Sequence, residues 1–138
     1  MNIREKQLQI IDEFAIFEDW MDKYEYIIEL GKGVPTLAPD LKTKDRIIEG
    51  CQSNVWLETQ FRDDKLYFFA DSDAIITKGI IGLLIQVYNG ENPASILQND
   101  LFFIQEIGLT EHLSPTRANG LLSMVQRIKN EALKSLSK

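Results

Sequence analysis

One side chain in this sequence of 138 residues stands out chemically: Cys51, the only cysteine, in the stretch Gly50-Cys51-Gln52-Ser53 between the apolar runs Ile47-Ile48 and Val55-Trp56-Leu57. A glycine on one side and two small polar residues on the other interrupt a strand-like pattern. The thiol therefore belongs in a turn joining two strands, where a partner can reach it, and Gly50 permits a backbone conformation that carries the sulfur to the tip. Its useful form is the thiolate, scarce at neutral pH for a free cysteine with a pKa of ~8.5. A nearby cation or a set of backbone N–H donors would enrich it. Lys44 and Arg46 are the nearest cations in sequence, and Arg117 can approach through the fold.

The partners such a thiol lacks narrow its chemistry. An internal disulfide, or a redox cycle that resolves its own disulfide, needs a second cysteine. A structural zinc or an iron–sulfur cluster needs about four Cys or His ligands, and the chain has one of each. A hydrolase or peroxidase needs a base, for which His112 is the sole histidine, in Leu109-Thr110-Glu111-His112-Leu113. Two readings compete with the functional ones: Cys51 as an inert core residue, and His112 as a packing or capping residue beside a helix start. What a solitary exposed thiol can do is accept a group from another protein and pass it on.

The elements that must position Cys51 follow from periodicity. Ile3, Gln7, Ile10, Ile11 and Phe14 predict one helix, and Trp20, Tyr24, Ile27 and Ile28 a second, closed by Leu30-Gly31-Lys32-Gly33-Val34-Pro35. The period then changes to two. Residues 46–50, 54–61 and 65–71 predict three short strands, the last two joined by Arg62-Asp63-Asp64, with Val55, Leu57 and Thr59 on one face and Trp56, Glu58 and Gln60 on the other. Ser72 or Asp73 is placed to cap a central helix with Ile76, Ile80, Leu83, Leu84 and Val87 on its apolar stripe and Ile75, Ile81 and Ile85 beside it. Asn92-Pro93 and Ser114-Pro115 start two further helices, the last carrying Leu121, Met124, Val125, Ile128 and Ala132. Helices, then strands, then helices predict one α+β domain over residues 1–138, a small antiparallel sheet of about three strands with helices packed on one face.

Composition sets the outer limits. With 21 acidic and 15 basic side chains, a formal charge of −6 opposes binding to nucleic acid. The longest apolar stretch, Ala74 to Tyr88, contains Lys78 and is shorter than the ~20 residues that span a bilayer. The charged opening residues do not form the apolar core of a secretory signal, so a cytoplasmic location is expected.

Three stretches, "GCQSNVWL" (50–57), "DSDAIITKGIIGLL" (71–84) and "LTEHLSPTRANGL" (109–121), together with "DKYEYIIELG" (22–31), resemble the SufE-type sulfur-acceptor proteins over nearly the whole chain. That resemblance implies an α+β fold shared with IscU scaffold proteins and a role in iron–sulfur cluster assembly. It further implies that Cys51 takes persulfide sulfur from a SufS-type cysteine desulfurase, stimulates that enzyme and delivers the sulfur to a scaffold complex. The chain itself would bind no cofactor, the pyridoxal phosphate belonging to the desulfurase, and would be a monomer or weak dimer. Gly50, Gln52 and Ser53 match the family's cysteine loop, and Asp71, Asp73 and Arg117 match motif positions, with Asp73 and Arg117 in supporting roles. An independent thiol enzyme using Cys51 and His112 is the alternative.

Overall fold

The computed structural model describes residues 1–137. Helix α1 (Ile3–Phe14) begins with a capping box in which Asn2 and Glu5 satisfy each other's backbone N–H groups, and α2 (Trp20–Lys32) begins on Asp19. Strands β1 (Val55–Arg62) and β2 (Lys65–Ser72) form an antiparallel hairpin from Val55 opposite Ser72 to Arg62 opposite Lys65. Asp63 and Asp64 make the two-residue turn, both at positive φ (53° and 63°), a conformation that matches the twist of the strands and that aspartate tolerates. Helices α3 (Ile75–Tyr88), α4 (Pro93–Gln98), α5 (Phe103–Glu106) and α6 (Pro115–Leu136) complete the chain.

The predicted α+β architecture stands, with a two-stranded sheet where about three strands were expected. Residues 46–50 do not form a strand. Lys44–Arg46 is a 3-10 turn, and Ile47 makes an isolated bridge to Trp56, with the Ile48 N–H donating to the Val55 carbonyl at 2.8 Å. The reason is competition for the backbone: Arg127 of α6 takes the carbonyls of Asp45 and Ile47 at 2.8 and 3.0 Å, the second of them an acceptor inside the expected strand and the first at its entrance.

Helix α3 is the hub, packing on α1, α2, α6 and β2. Ile80, Ile81, Leu83, Leu84, Ile85 and Val87 are all buried, each such side chain contributing ~1.5–3 kcal/mol on leaving water. Ile75 departs from the expectation: as the first helical residue it precedes the point where α3 enters the core, and it is 68% exposed. Neither Ser72 nor Asp73 is the N-cap, a position held by Ala74, although the Ser72 hydroxyl accepts the Ala74 N–H at 3.2 Å. The carbonyls at the far end of α3 are met by Lys6, which donates to Val87 and Asn89 and pairs with Glu91 at 2.7 Å. The short helix α5 escaped the periodicity. Its start is fixed from a distance by the buried Gln7, whose amide oxygen accepts the N–H groups of Phe102 and Phe103.

Helices α2 and α3 touch backbone to backbone. A Cβ on Gly79 would lie 2.1 Å from the Ile27 carbonyl oxygen, and one on Gly31 would lie 2.9 Å from the Gly79 nitrogen. Neither obstacle is a side chain that can turn aside. Gly79→Ala is therefore expected to lower stability by about 1–3 kcal/mol or more through overpacking, seen as a fall of several degrees in the thermal midpoint. Gly33→Ala, with only the Leu30 carbonyl at 3.7 Å from its added carbon, is expected to leave the midpoint nearly unchanged.

Candidate functional site

Cys51 sits in a five-residue loop, Glu49–Ser53, whose two ends are fixed and whose middle is loosely held. Arg127 and the Ile48–Val55 hydrogen bond hold the first end. At the second end Asp73 accepts both the backbone N–H of Asn54 (3.1 Å) and its side-chain amide (3.0 Å), while the Ser72 hydroxyl donates to the Asn54 carbonyl at 2.8 Å. Among the described residues no backbone hydrogen bond ties residues 49–53 to another element. Gly50 adopts φ +93°, and a Cβ there would meet the Ser123 hydroxyl at 2.4 Å. Both the conformation and the contact demand glycine.

The thiol points inward. Sγ lies 3.6 Å from the Gly120 carbonyl of α6, within reach of a weak S–H donor, and faces a cavity of about 70 Å³. Gln52, Ser53, Thr77, Ile80, Thr116, Arg117, Gly120 and Met124 complete the lining. Burial pushes the Cys51 thiol above its ordinary pKa, because partial removal from water penalises the thiolate. An activated resting thiolate is thus not what the loop holds. Gly120 presents only its hydrogens: a Cβ there would reach 3.5 Å from Sγ, filling the space beside the sulfur.

Of the three candidate cations only Arg117 lines the cavity. It occupies the first turn of α6, whose start is capped by Ser114 accepting the Arg117 N–H at 3.3 Å, so the positive end of a 22-residue helix also faces the thiol's surroundings. Arg46 is occupied by Glu58 at 2.8 Å, and Lys44 lines a separate groove with Asp45. Asp71 lies on the outer face of the sheet. Burial pushes its carboxyl up, but hydrogen bonds and charge from Lys42 (2.5 Å), the Ser72 N–H and Lys78 (3.3 Å) outweigh that and hold it below the usual carboxylate range. Trp56 is on the same outer face, half-buried beneath Lys42.

His112 is not brought to Cys51. Its ring stacks on Trp20 with centroids 4.0 Å apart, Nδ1 lies 3.0 Å from the Gly108 carbonyl, and its own carbonyl accepts the Tyr24 hydroxyl. These contacts brace the segment leading into α6. Among the described residues there is also no group of three or more His, Cys, Asp or Glu side chains that could hold a metal ion. No helix of the described chain is long and apolar enough to cross a membrane.

Comparison with known proteins meets this geometry at the loop and at α6. A family model described as the SufE, Fe-S metabolism associated, domain matches residues 8–132. The chain belongs to the SufE family. An uncharacterized SufE-like protein of Rhizobium etli is 44% identical over 129 residues, covering 90% of this chain and 87% of the relative. A second, from Rhizobium meliloti, is 43% identical over the same length, covering 90% and 92%. The solution structure of a hypothetical protein from Thermus thermophilus shares the fold, with a TM-score of 0.79 over 96% of this chain and 97% of that one at 22% identity.

Within the SufE domain, several residues around the cysteine escaped the sequence reading: Gly120, Ser123, Thr77 and Asn54. Gly120 carried a signal, since a glycine inside a strongly periodic helix costs about 1 kcal/mol and calls for a packing reason. The others are ordinary polar residues that only the fold brings to the loop.

The half-buried thiol has a direct consequence for pH. A folded-state pKa raised above the unfolded value favours the native state fully below the ordinary thiol pKa, and that contribution is lost as pH rises through the folded value. Alkylation of native Cys51 by iodoacetamide should therefore rise with pH through a midpoint above that of the urea-unfolded chain. Coincident midpoints would show a thiol fully solvated at rest.

Proposed function

We propose that this chain is a persulfide carrier in iron–sulfur metabolism: Cys51 accepts sulfane sulfur from a pyridoxal-phosphate-dependent cysteine desulfurase of the SufS type, stimulates that enzyme and delivers the sulfur to a scaffold complex. The SufE domain supplies the metabolic setting. The observation that carries the finer reading is a lone thiol facing a small cavity on a loop with firm ends and a loose centre. Such a loop can present the sulfur to another protein and then withdraw it.

The chemistry needs no cofactor in this chain. With the loop turned outward, the Cys51 thiol loses its proton to solvent and the thiolate attacks the terminal sulfur of the donor's cysteine persulfide. One S–S bond forms on Cys51, the donor's own S–S bond breaks, and the donor cysteine leaves as a thiolate. When the loop returns, the added sulfur occupies the space beside Gly120, where it is shielded from reductants. Arg117 and the amino end of α6 favour the negative charge that a persulfide carries. Asp73 has a supporting role of another kind, holding Asn54 and so the loop's second hinge. Gly50, Gln52 and Ser53 form the moving part, and the conversion of Sγ from sheltered to exposed makes docking of the donor the trigger for ionisation.

The alternative, an independent thiol enzyme, requires a base beside Cys51. His112 is engaged with Trp20 and Gly108 and does not line the cavity. A carrier is the better match.

Incubation with a cysteine desulfurase, pyridoxal phosphate and L-cysteine is expected to add about 32 Da per accepted sulfur to the intact protein, removable by dithiothreitol. Cys51→Ser should gain nothing and His112→Ala should gain as much as the unaltered chain. Absence of added mass on the unaltered chain, with the desulfurase active, would remove the carrier assignment. Gly50→Ala should also load sulfur but hold it poorly, because its added carbon meets Ser123 and the left-handed backbone costs ~1–2 kcal/mol. Its persulfide is expected to be reduced several-fold faster, whereas equal lifetimes would argue against closure over the sulfur.

A further inference from the structure

Three residues on one stripe of α6 follow the chain that leads into the cysteine loop. Gly120 meets Cys51, Ser123 meets Gly50, and Arg127 meets Asp45 and Ile47. The spacing of three and four residues keeps all three on one side of the helix. The helix and the incoming segment thus run alongside each other in opposite directions, with the thiol at one end and a guanidinium at the other.

Every nitrogen of the Arg127 guanidinium has a partner. Nη1 donates to the Ile47 carbonyl at 3.0 Å, Nη2 to the Asp45 carbonyl at 2.8 Å, and Nε to the Glu131 carboxylate at 3.2 Å. Glu131 in turn accepts the Thr59 hydroxyl at 3.2 Å, which ties the same side chain to β1 on the other side of the loop. A planar fork suits this task. It holds two carbonyls of one turn through two nitrogens fixed in one plane, a rigid geometry that the single nitrogen of a lysine does not supply.

We propose that Arg127 is a positioning residue for sulfur transfer: by fixing the root of the Cys51 loop to α6 it sets the closed position of the thiol against Gly120. The proposal deepens the carrier reading and, for its consequence in transfer, rests on it. Arg127 does not touch the sulfur and acts through the backbone of residues 45–47. When the root is held, residues 49–53 can open and return to one place. When it is released, the segment before Gly50 shifts with the loop and the thiol no longer finds its cavity.

The grip can be measured without any sulfur donor. In Arg127→Ala, which loses both charge-assisted hydrogen bonds to the loop's root, iodoacetamide should modify Cys51 roughly tenfold faster or more near neutral pH, tenfold being the ratio for one such bond. The pH midpoint of the reaction should fall toward that of the unfolded chain. Arg127→Lys, which keeps the charge and one donor direction, should lie between. Ile10→Val, a truncation in the fully buried core of α1, serves as a control that lowers the thermal midpoint without touching the loop. If Arg127→Ala and Ile10→Val share the alkylation rate and pH midpoint of the unaltered chain, or if Ile10→Val reproduces the shift, Arg127 is not a positioning residue.

Sulfur loading then separates the two levels. The persulfide on Arg127→Ala should be reduced by dithiothreitol several-fold faster than that on the unaltered chain. If the unaltered chain loads no sulfur while the alkylation results hold, the carrier reading fails and the loop anchor stands. If sulfur loads and persists equally in both, the carrier reading stands and the positioning role is overturned.

Discussion

Helix α3 can act as the centre of this molecule only because its backbone lies directly against that of α2, with Gly31 and Gly79 at the crossing. The Ile27 carbonyl occupies the place where a side chain on residue 79 would begin. That approach fixes the line of α3, and with it two parts of the site. Thr77 and Ile80 form one wall of the thiol's cavity, and the residues leading into the helix, Ser72 and Asp73, hold Asn54 at the end of the cysteine loop. A crossing held by close-packed backbone has little room to adjust, so the wall and the clamp keep a constant relation to each other.

Against that fixed frame the proposed carrier role sets storage of the sulfur against its reaction. A thiol partly sheltered by Ile80 and Met124 is harder to ionise and slower to react, and the burial that raises its pKa also limits access to it. Exposure reverses both effects together. In the proposed carrier role the loop would therefore need no dedicated base, since the change of surroundings would favour ionisation. His112 is free to serve elsewhere, and its stack on Trp20 joins α2 to the segment that starts α6. Through that brace the aromatic cluster helps to place Thr116 and Arg117 at the cavity's mouth.

Much of this was legible in the residues, and the exceptions share a cause. The amphipathic helices, the hairpin turn at Asp63-Asp64 and the caps at Asn92 and Ser114 follow local rules, and the structure has them where the pattern placed them. The lone thiol was visible from composition and its loop from Gly50. What local pattern could not show is competition between distant groups for the same backbone. Residues 46–50 have the alternation of a strand, yet two carbonyls of their neighbourhood are committed to Arg127, 80 or more positions away. Asp73 has the chemistry of a helix cap, yet its carboxylate is engaged by Asn54.

Those same competitions create the site. Had residues 46–50 completed a third strand, a regular ladder would have drawn the cysteine toward the sheet edge, and α6 would have had no irregular backbone to grip. Had Asp73 capped α3, Asn54 would have lost its clamp and the loop would have had one fixed end in place of two. A loop with one fixed end can wander, whereas one with two can only open and close. The departures from regular structure around Cys51 thus give the loop two fixed ends and a loosely held middle, with the sulfur partly sheltered between them, which is the arrangement the proposed carrier role calls for.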